Sequence, residues 1–131
     1  MSEKTVGDCM SQNPVTIPAD LSLADAYERM LEHGIRHLPV LDDGHVVGLV
    51  SERDLALVTG IPGVDKNRVE VREAMSEHPY IVAPGTLLEE VVATMWDKKI
   101  GSAVVMDGGK LVGIFSVVDA LAMLLAKLRG E

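Results

Sequence analysis

Two serine–aspartate pairs hold the clearest chemistry in the chain: Ser51 with Asp54 and Ser116 with Asp119, each following an apolar run. An ionised aspartate only accepts hydrogen bonds, through two oxygens, so it suits a ligand that presents neighbouring hydroxyls. A serine at a helix start stands among exposed backbone N–H groups, which offer donors to a polar or anionic oxygen. Ser-x-x-Asp is also capping-box spacing with Asp in place of Glu, and a single copy reads first as a plain helix start. Here the copies come in register. Gly48-Leu49-Val50-Ser51-Glu52-Arg53-Asp54 recurs 65 residues later as Gly113-Ile114-Phe115-Ser116-Val117-Val118-Asp119. A duplicated helix start of this kind points to a paired ligand site, with capping as part of the same geometry.

The elements around the pairs repeat at the same offset. Val6, Met10, Ser11 and Pro14 reappear as Val71, Met75, Ser76 and Pro79. Val15-Thr16-Ile17 and Tyr80-Ile81-Val82 are short β-favouring runs bounded by prolines. Leu23, Ala26, Tyr27, Met30 and Leu31 fall at helical spacing, answered by Leu88, Val91, Val92, Met95 and Trp96. Ser22 with Asp25 and Thr86 with Glu89 have capping-box spacing at those helix starts. Gly34 marks one helix end, and Lys98-Lys99 place positive charge at the other, where the dipole favours it. His37 to Leu41, Asp42-Asp43-Gly44 and Val46 to Val50 predict a hairpin. Ala103 to Met106, Asp107-Gly108-Gly109 and Leu111 to Phe115 predict its twin. Each half therefore reads β-α-β-β-α, an α/β (α+β) chain, divided into a first unit over residues 1–64 and a second over 65–131. Val58 to Val71 connects them.

Bulk properties narrow the function. The chain has 131 residues, 47% of them hydrophobic, enough for one core-bearing domain, while each half alone lies near the lower limit for independent folding. A net charge of −8 repels a phosphate backbone and disfavours nucleic acid as a partner. The single cysteine, Cys9, has no internal partner, which fits a reducing compartment, and it reads as a small core residue. No basic, apolar leader opens the chain, and the apolar stretch from Val117 to Leu128 is interrupted by Asp119 and Lys127. A cytoplasmic protein without a membrane partner is expected. No nucleophile with a paired base, metal set or phosphate loop is seen, so an enzyme is not expected.

Other candidates have plainer readings. His33 and His37 are four apart, but Gly34 and Pro39 end the helix between them, so no metal site is expected. Met30 and Met95 read as packing, and Trp96 as core or interface. The last helix is apolar on more than one face, through Val117, Val118, Leu121, Leu124, Leu125 and Leu128. Packing within the chain is the default for that surplus, with self-association added to it.

The chain resembles a pair of cystathionine-β-synthase (CBS) domains, a Bateman module. The M-S-x-x-P openings, the His37-Leu38-Pro39-Val40-Leu41-Asp42 strand and the two G-h-h-[ST]-x-x-D helix starts carry the likeness, from about Thr5 to Leu128. It implies two units about a pseudo-twofold axis, two clefts between them, and a disc-shaped homodimer. It also implies an adenosyl ligand: AMP, ADP, ATP or S-adenosylmethionine, with no required cofactor. The aspartates would then receive the ribose cis-diol. Gly48 and Gly113 would let ligand and backbone approach closely.

The resemblance further implies that each cleft takes its Ser and Asp from one unit and its adenine-facing strand and pre-hairpin loop from the other. Cleft one would combine Ser116 and Asp119 with Thr16, Ile17, Ile35, Arg36, His37 and Pro39. Cleft two would combine Ser51, Arg53 and Asp54 with Ile81, Val82, Gly101, Ser102 and Ala103. Arg36 and His37 could meet a phosphate in cleft one, whereas Gly101 and Ser102 stand at those positions in cleft two. Cleft one is therefore expected to be the better nucleotide site. Val117 and Val118 replace Glu52 and Arg53 in the second copy, which favours a monophosphate or sulfonium ligand over a triphosphate. The expected function is a regulatory, energy-sensing module that signals to a protein partner; the alternative is a ligand-free assembly or docking module.

Overall fold

The computed structural model of the chain describes residues 3–131 and shows a mixed α/β protein. It opens with α1 (Val6–Cys9), β1 (Ser11–Gln12) and β2 (Ile17–Pro18). Then come α2 (Leu23–His33), β3 (His37–Asp42), β4 (His45–Ser51) and α3 (Glu52–Thr59). After a 3-10 turn at Val71–Glu73, the second copy follows as β5 (Ile81–Val82), α4 (Leu88–Lys98), β6 (Ser102–Asp107), β7 (Lys110–Ser116) and α5 (Val117–Leu128). Both halves thus show the β-α-β-β-α order.

The chain forms two compact units that do not follow the expected cut near residue 64. One is Val15–Pro79; the other joins the segment ending at Pro14 to Tyr80–Glu131. The physical reason lies in the repeated opening segment. Val6 N–H donates to Thr86 O (2.8 Å), Gly7 N–H to Pro84 O (2.9 Å), and Leu88 N–H to Lys4 O (2.8 Å). The equivalent Val71 N–H donates to Leu21 O (2.8 Å), and Leu23 N–H to Val69 O (3.0 Å). Each opening therefore completes the hydrogen bonding of the other repeat's β-α-β-β-α body, and Val6 and Val71 are both fully buried.

In the Val15–Pro79 unit the sheet runs β2-β3-β4, with β2 parallel to β3 and β3 antiparallel to β4. In the other unit it runs β1-β7-β6-β5. Asp43-Gly44 and Gly108-Gly109 turn the two hairpins with positive φ throughout, as a two-residue turn between twisted strands requires. Each unit has its own core. Ile17, Leu23, Met30, Leu38, Val40, Val50, Leu55 and Val71 form one, and Val6, Val82, Val91, Met95, Ala103, Val105 and Phe115 the other. Met30 and Met95 are packing residues, as expected, and half-buried Cys9 leans on the second core.

Several local expectations change. Ser22 caps α2 with a reciprocal Asp25 bond, but Thr86 and Glu89 form no capping box: α4 begins one residue later, with Leu87 at its cap and no side-chain bond. Gly34 ends α2 in the left-handed conformation, and Lys99 takes that conformation at the end of α4 despite its Cβ. Trp96 is 73% exposed rather than core. In α5 no residue is buried among the described residues, and Val118, Leu121 and Leu128 are all more than half exposed.

The glycines before the two helix starts serve the chain's own packing. A Cβ on Gly48 would lie 2.6 Å from Met75 Sδ and 2.6 Å from Ser76 O. One on Gly113 would meet the Met10 side chain and lie 2.9 Å from Ser11 O. The Met-Ser openings lie on these glycines. Ser11 and Gln12 pair with Ile114 and Gly113 as strand β1, and Leu49 exchanges backbone bonds with Ser76. The close backbone approach expected at these glycines is made by the Met-Ser segments.

Candidate functional site

Both Ser-Asp pairs are real helix caps. Ser51 N–H donates to Asp54 Oδ2 (2.9 Å), and Asp54 N–H returns a bond to Ser51 Oγ (3.1 Å). Ser116 N–H donates to Asp119 Oδ2 (2.8 Å), Ser116 Oγ to the same oxygen (3.1 Å), and Asp119 N–H to Ser116 Oγ (3.3 Å). Capping therefore occupies one carboxylate oxygen in each copy. The other is free of such bonds in Asp54 among the described residues. In Asp119 it receives Ser11 Oγ at 3.4 Å, a long contact that leaves acceptor capacity. Each half-buried aspartate thus keeps Oδ1 for further donors.

The hairpins place the pre-strand residues beside these caps. His37 stands opposite Ser51 across β3–β4, and Ser102 opposite Ser116 across β6–β7. Arg36 O accepts from Glu52 N–H (2.9 Å), and Gly101 O from Val117 N–H (3.0 Å), so each pre-hairpin carbonyl holds the first turn of the following helix. Within the Val15–Pro79 unit, His37, Ser51 and Asp54 come together, and the Arg36 side chain is exposed. Burial holds the His37 imidazole below its ordinary pKa, while the Asp54 carboxylate pulls it up and the Arg36 guanidinium pushes it down.

In the other unit Gly101, Ser102, Ser116 and Asp119 gather in the same way. Ser102 Oγ is buried, 1% exposed for the residue, without a hydrogen-bond partner among the described residues.

The strands contribute backbone more than side chain. Ile17, Val82 and Ala103 belong to the cores, so their side chains are spent on packing. Ile81 is 51% exposed, Thr16 and Ile35 are half-buried, Pro39 is buried in β3, and Arg53 is exposed on the first turn of α3. Two residues escaped the sequence reading. Arg29 Nη1 donates to Thr16 O at 2.6 Å and fixes the carbonyl before β2; its counterpart in the repeat, Thr94, gave no hint of this. Ser11, which reaches Asp119, was visible only as half of a repeated Met-Ser pair.

A cavity of about 350 Å³ opens between α4 and α5, lined by Val92, Met95, Trp96, Lys99, Ile100, Gly101, Val117 and Ala120. Lys99 Nζ stands 3.7 Å from the centre of the Trp96 ring, a cation–π contact at its rim. Among the described residues no group of three or more His, Cys, Asp or Glu could hold a metal ion, and no helix is long and apolar enough to cross a membrane.

Two units, each a small sheet with helices and a capped Ser-Asp helix start, define a tandem β-α-β-β-α repeat. The CBS domain pattern matches the chain twice, over residues 6–59 and 71–126, and the chain belongs to that family. Its fold is also that of a crystal structure of the acetoin utilization protein AcuB from Vibrio cholerae. That protein is 29% identical with a TM-score of 0.86, over 98% of this chain and 95% of the other. CBSX2, solved in complex with AMP, is 30% identical with a TM-score of 0.81, over 93% of this chain and 97% of that one. A zinc metalloprotease of Methanocaldococcus jannaschii is 33% identical over 125 residues; the match spans 95% of this chain and 33% of that protein.

Proposed function

We propose that the chain is a regulatory module that binds an adenosyl nucleotide, AMP first among AMP, ADP, ATP and S-adenosylmethionine. The observation that carries this reading is the pair of capped aspartates that each keep one carboxylate oxygen for a further donor. Ribose supplies two adjacent hydroxyls, and hydrogen bonds to a charged acceptor are worth roughly 1.5–3 kcal/mol each. The 30% identity to CBSX2, a CBS protein seen with AMP, supports the adenosyl class.

In the first site, Ser116 and Asp119 serve the ribose. Thr16, Ile17 and Pro39 serve the base through backbone and strand edge, with Ile35 beside them, and Arg36 and His37 meet the phosphate. In the second site, Ser51, Asp54 and Arg53 work with Ile81, Val82, Gly101, Ser102 and Ala103. The buried Ser102 hydroxyl suits an uncharged ligand oxygen there. Binding rather than catalysis is the role, two copies associate, a cytoplasmic location goes with it, and occupancy is passed to a protein partner. That last step needs ligand to favour one of two states of the module.

A thermal-shift series tests the reading. Ligand at 100 times its dissociation constant adds about 2.7 kcal/mol of stability. A rise in Tm with millimolar AMP supports nucleotide binding. No shift with any of the four ligands favours the competing reading, a ligand-free assembly or docking module, for which the uncovered face of α5 speaks.

A further inference from the structure

The two repeats diverge where α4 meets α5. In the first copy the matching positions carry bulk. Leu55 is fully buried, and half-buried Tyr27 packs on the same core and shares a hydrogen bond with Thr59 Oγ1 (3.3 Å). The second copy has Ala120 and Val92 at those positions. Both are smaller, and both line the cavity of about 350 Å³. A shorter side chain leaves a void wherever the neighbours do not close in, and here the void is open.

The charges change as well. Glu52 gives way to Val117 and Arg36 to Gly101, so the second copy lacks an ion of each sign there; Gly34 gives way to Lys99, so one cation returns at the rim. Lys99 holds a left-handed conformation (φ 57°) that a Cβ disfavours and that Gly34 takes freely in the first copy. Its ammonium rests 3.7 Å from the centre of the Trp96 ring, and exposed Trp96 stands where the first copy has Leu31. Among the described residues that line the cavity, Lys99 alone carries charge. Apolar walls, one aromatic ring and one compact cation at the mouth match a small molecule with an apolar body and a single anionic end.

We propose that this cavity binds a small aromatic carboxylate, its ring between Val92, Val117 and Ala120 and its carboxylate at Lys99. The site lies within one unit and goes beyond the nucleotide reading above. A ribose or a phosphate would find no hydroxyl or amide side chain among these described walls, whereas an aromatic ring finds apolar surface throughout.

Phenylbutyrate titrated into the full chain tests it, with phenylbutyramide as the uncharged twin. Trp96 is the single tryptophan, so its fluorescence reports the rim directly. A saturable change with a dissociation constant of about 1 mM or tighter is expected for the acid. The amide should bind about threefold or more weakly, a gap that Lys99→Gln should remove. Ala120→Leu and Val92→Tyr restore the bulk of the first copy. Each should weaken phenylbutyrate about tenfold or more while Tm holds or rises, and if one of them fails to fold the other decides. No saturable change with wild type overturns the site. Unaltered binding in a folded, filled variant overturns the cavity as its place, and an amide that binds as tightly as the acid overturns the anionic class.

Discussion

Asp119 and Asp54 look equivalent in the chain and differ in the fold. Ser11 Oγ reaches Asp119 Oδ1, while Asp54 has His37 for a neighbour. Replacement by alanine would remove the aspartate's half of the capping box along with any ligand contact, so asparagine is the cleaner probe. Asp119→Asn should weaken AMP binding about tenfold or more and Asp54→Asn should do less, as isothermal calorimetry would show; the reverse order would exchange the ranking of the two sites. Arg36→Ala should cost AMP far more than adenosine, and equal losses would detach Arg36 from the phosphate.

His37 gives a pH signature independent of ligand. Its folded pKa lies below the ordinary 6.5, so as pH falls through that value the unfolded chain takes the proton first and stability drops. The loss builds between 6.5 and the folded pKa and then levels off. His37→Gln should flatten this part of the curve. Urea midpoints at pH 7.5 and 5.5 that fall equally in variant and wild type would remove His37 as the cause.

At the scale of elements, the hydrophobic spacing made α2, α4 and both hairpins legible, because a helix or strand must bury a face and the apolar positions record which. Ser22 and Gly34 announced their caps by residue type. Thr86 did not cap α4 although its spacing matched that of Ser22. Its carbonyl is taken by Val6 N–H and its own N–H donates to Ala83 O, so a turn and a long-range contact prevail over a local signal. The glycines before the helix starts were legible as glycines, but their reason lay elsewhere in the chain, in Met75 and Met10. Gly48→Ala and Gly113→Ala should each cost ~1–3 kcal/mol in denaturant unfolding, since backbone carbonyls as well as methionine side chains stand in the way. Gly85→Ala, with nothing within 4 Å of its added methyl, should stay within about 0.5 kcal/mol.

At the scale of the molecule, the duplication gave the number of units but not their membership. A repeat read in chain order suggests consecutive halves, whereas the hydrogen bonds at Val6 and Val71 cross the halves over. Removing the residues before Pro14 should therefore lower amide protection in Tyr80–Glu131 first and leave Val15–Pro79 the better protected unit; the opposite pattern in hydrogen exchange would argue against the crossover. The repeat named the acidic and basic residues proposed for the site, and Asp54 and Asp119 stand at helix starts as its spacing required. Arg29 and the orphan hydroxyl of Ser102 emerged only once the strands were paired. The uncovered face of α5 was visible as excess apolarity, yet only the fold showed that its own unit leaves it open.

Binding of AMP to ligand-free protein, followed by isothermal calorimetry for wild type and Asp119→Asn side by side, bears most directly on whether this CBS pair reads nucleotides. Saturable heat with wild type, and a dissociation constant raised tenfold or more by the substitution, is the expected result. Millimolar AMP that gives no heat with wild type, or binds both proteins alike, would contradict a ribose held by that carboxylate.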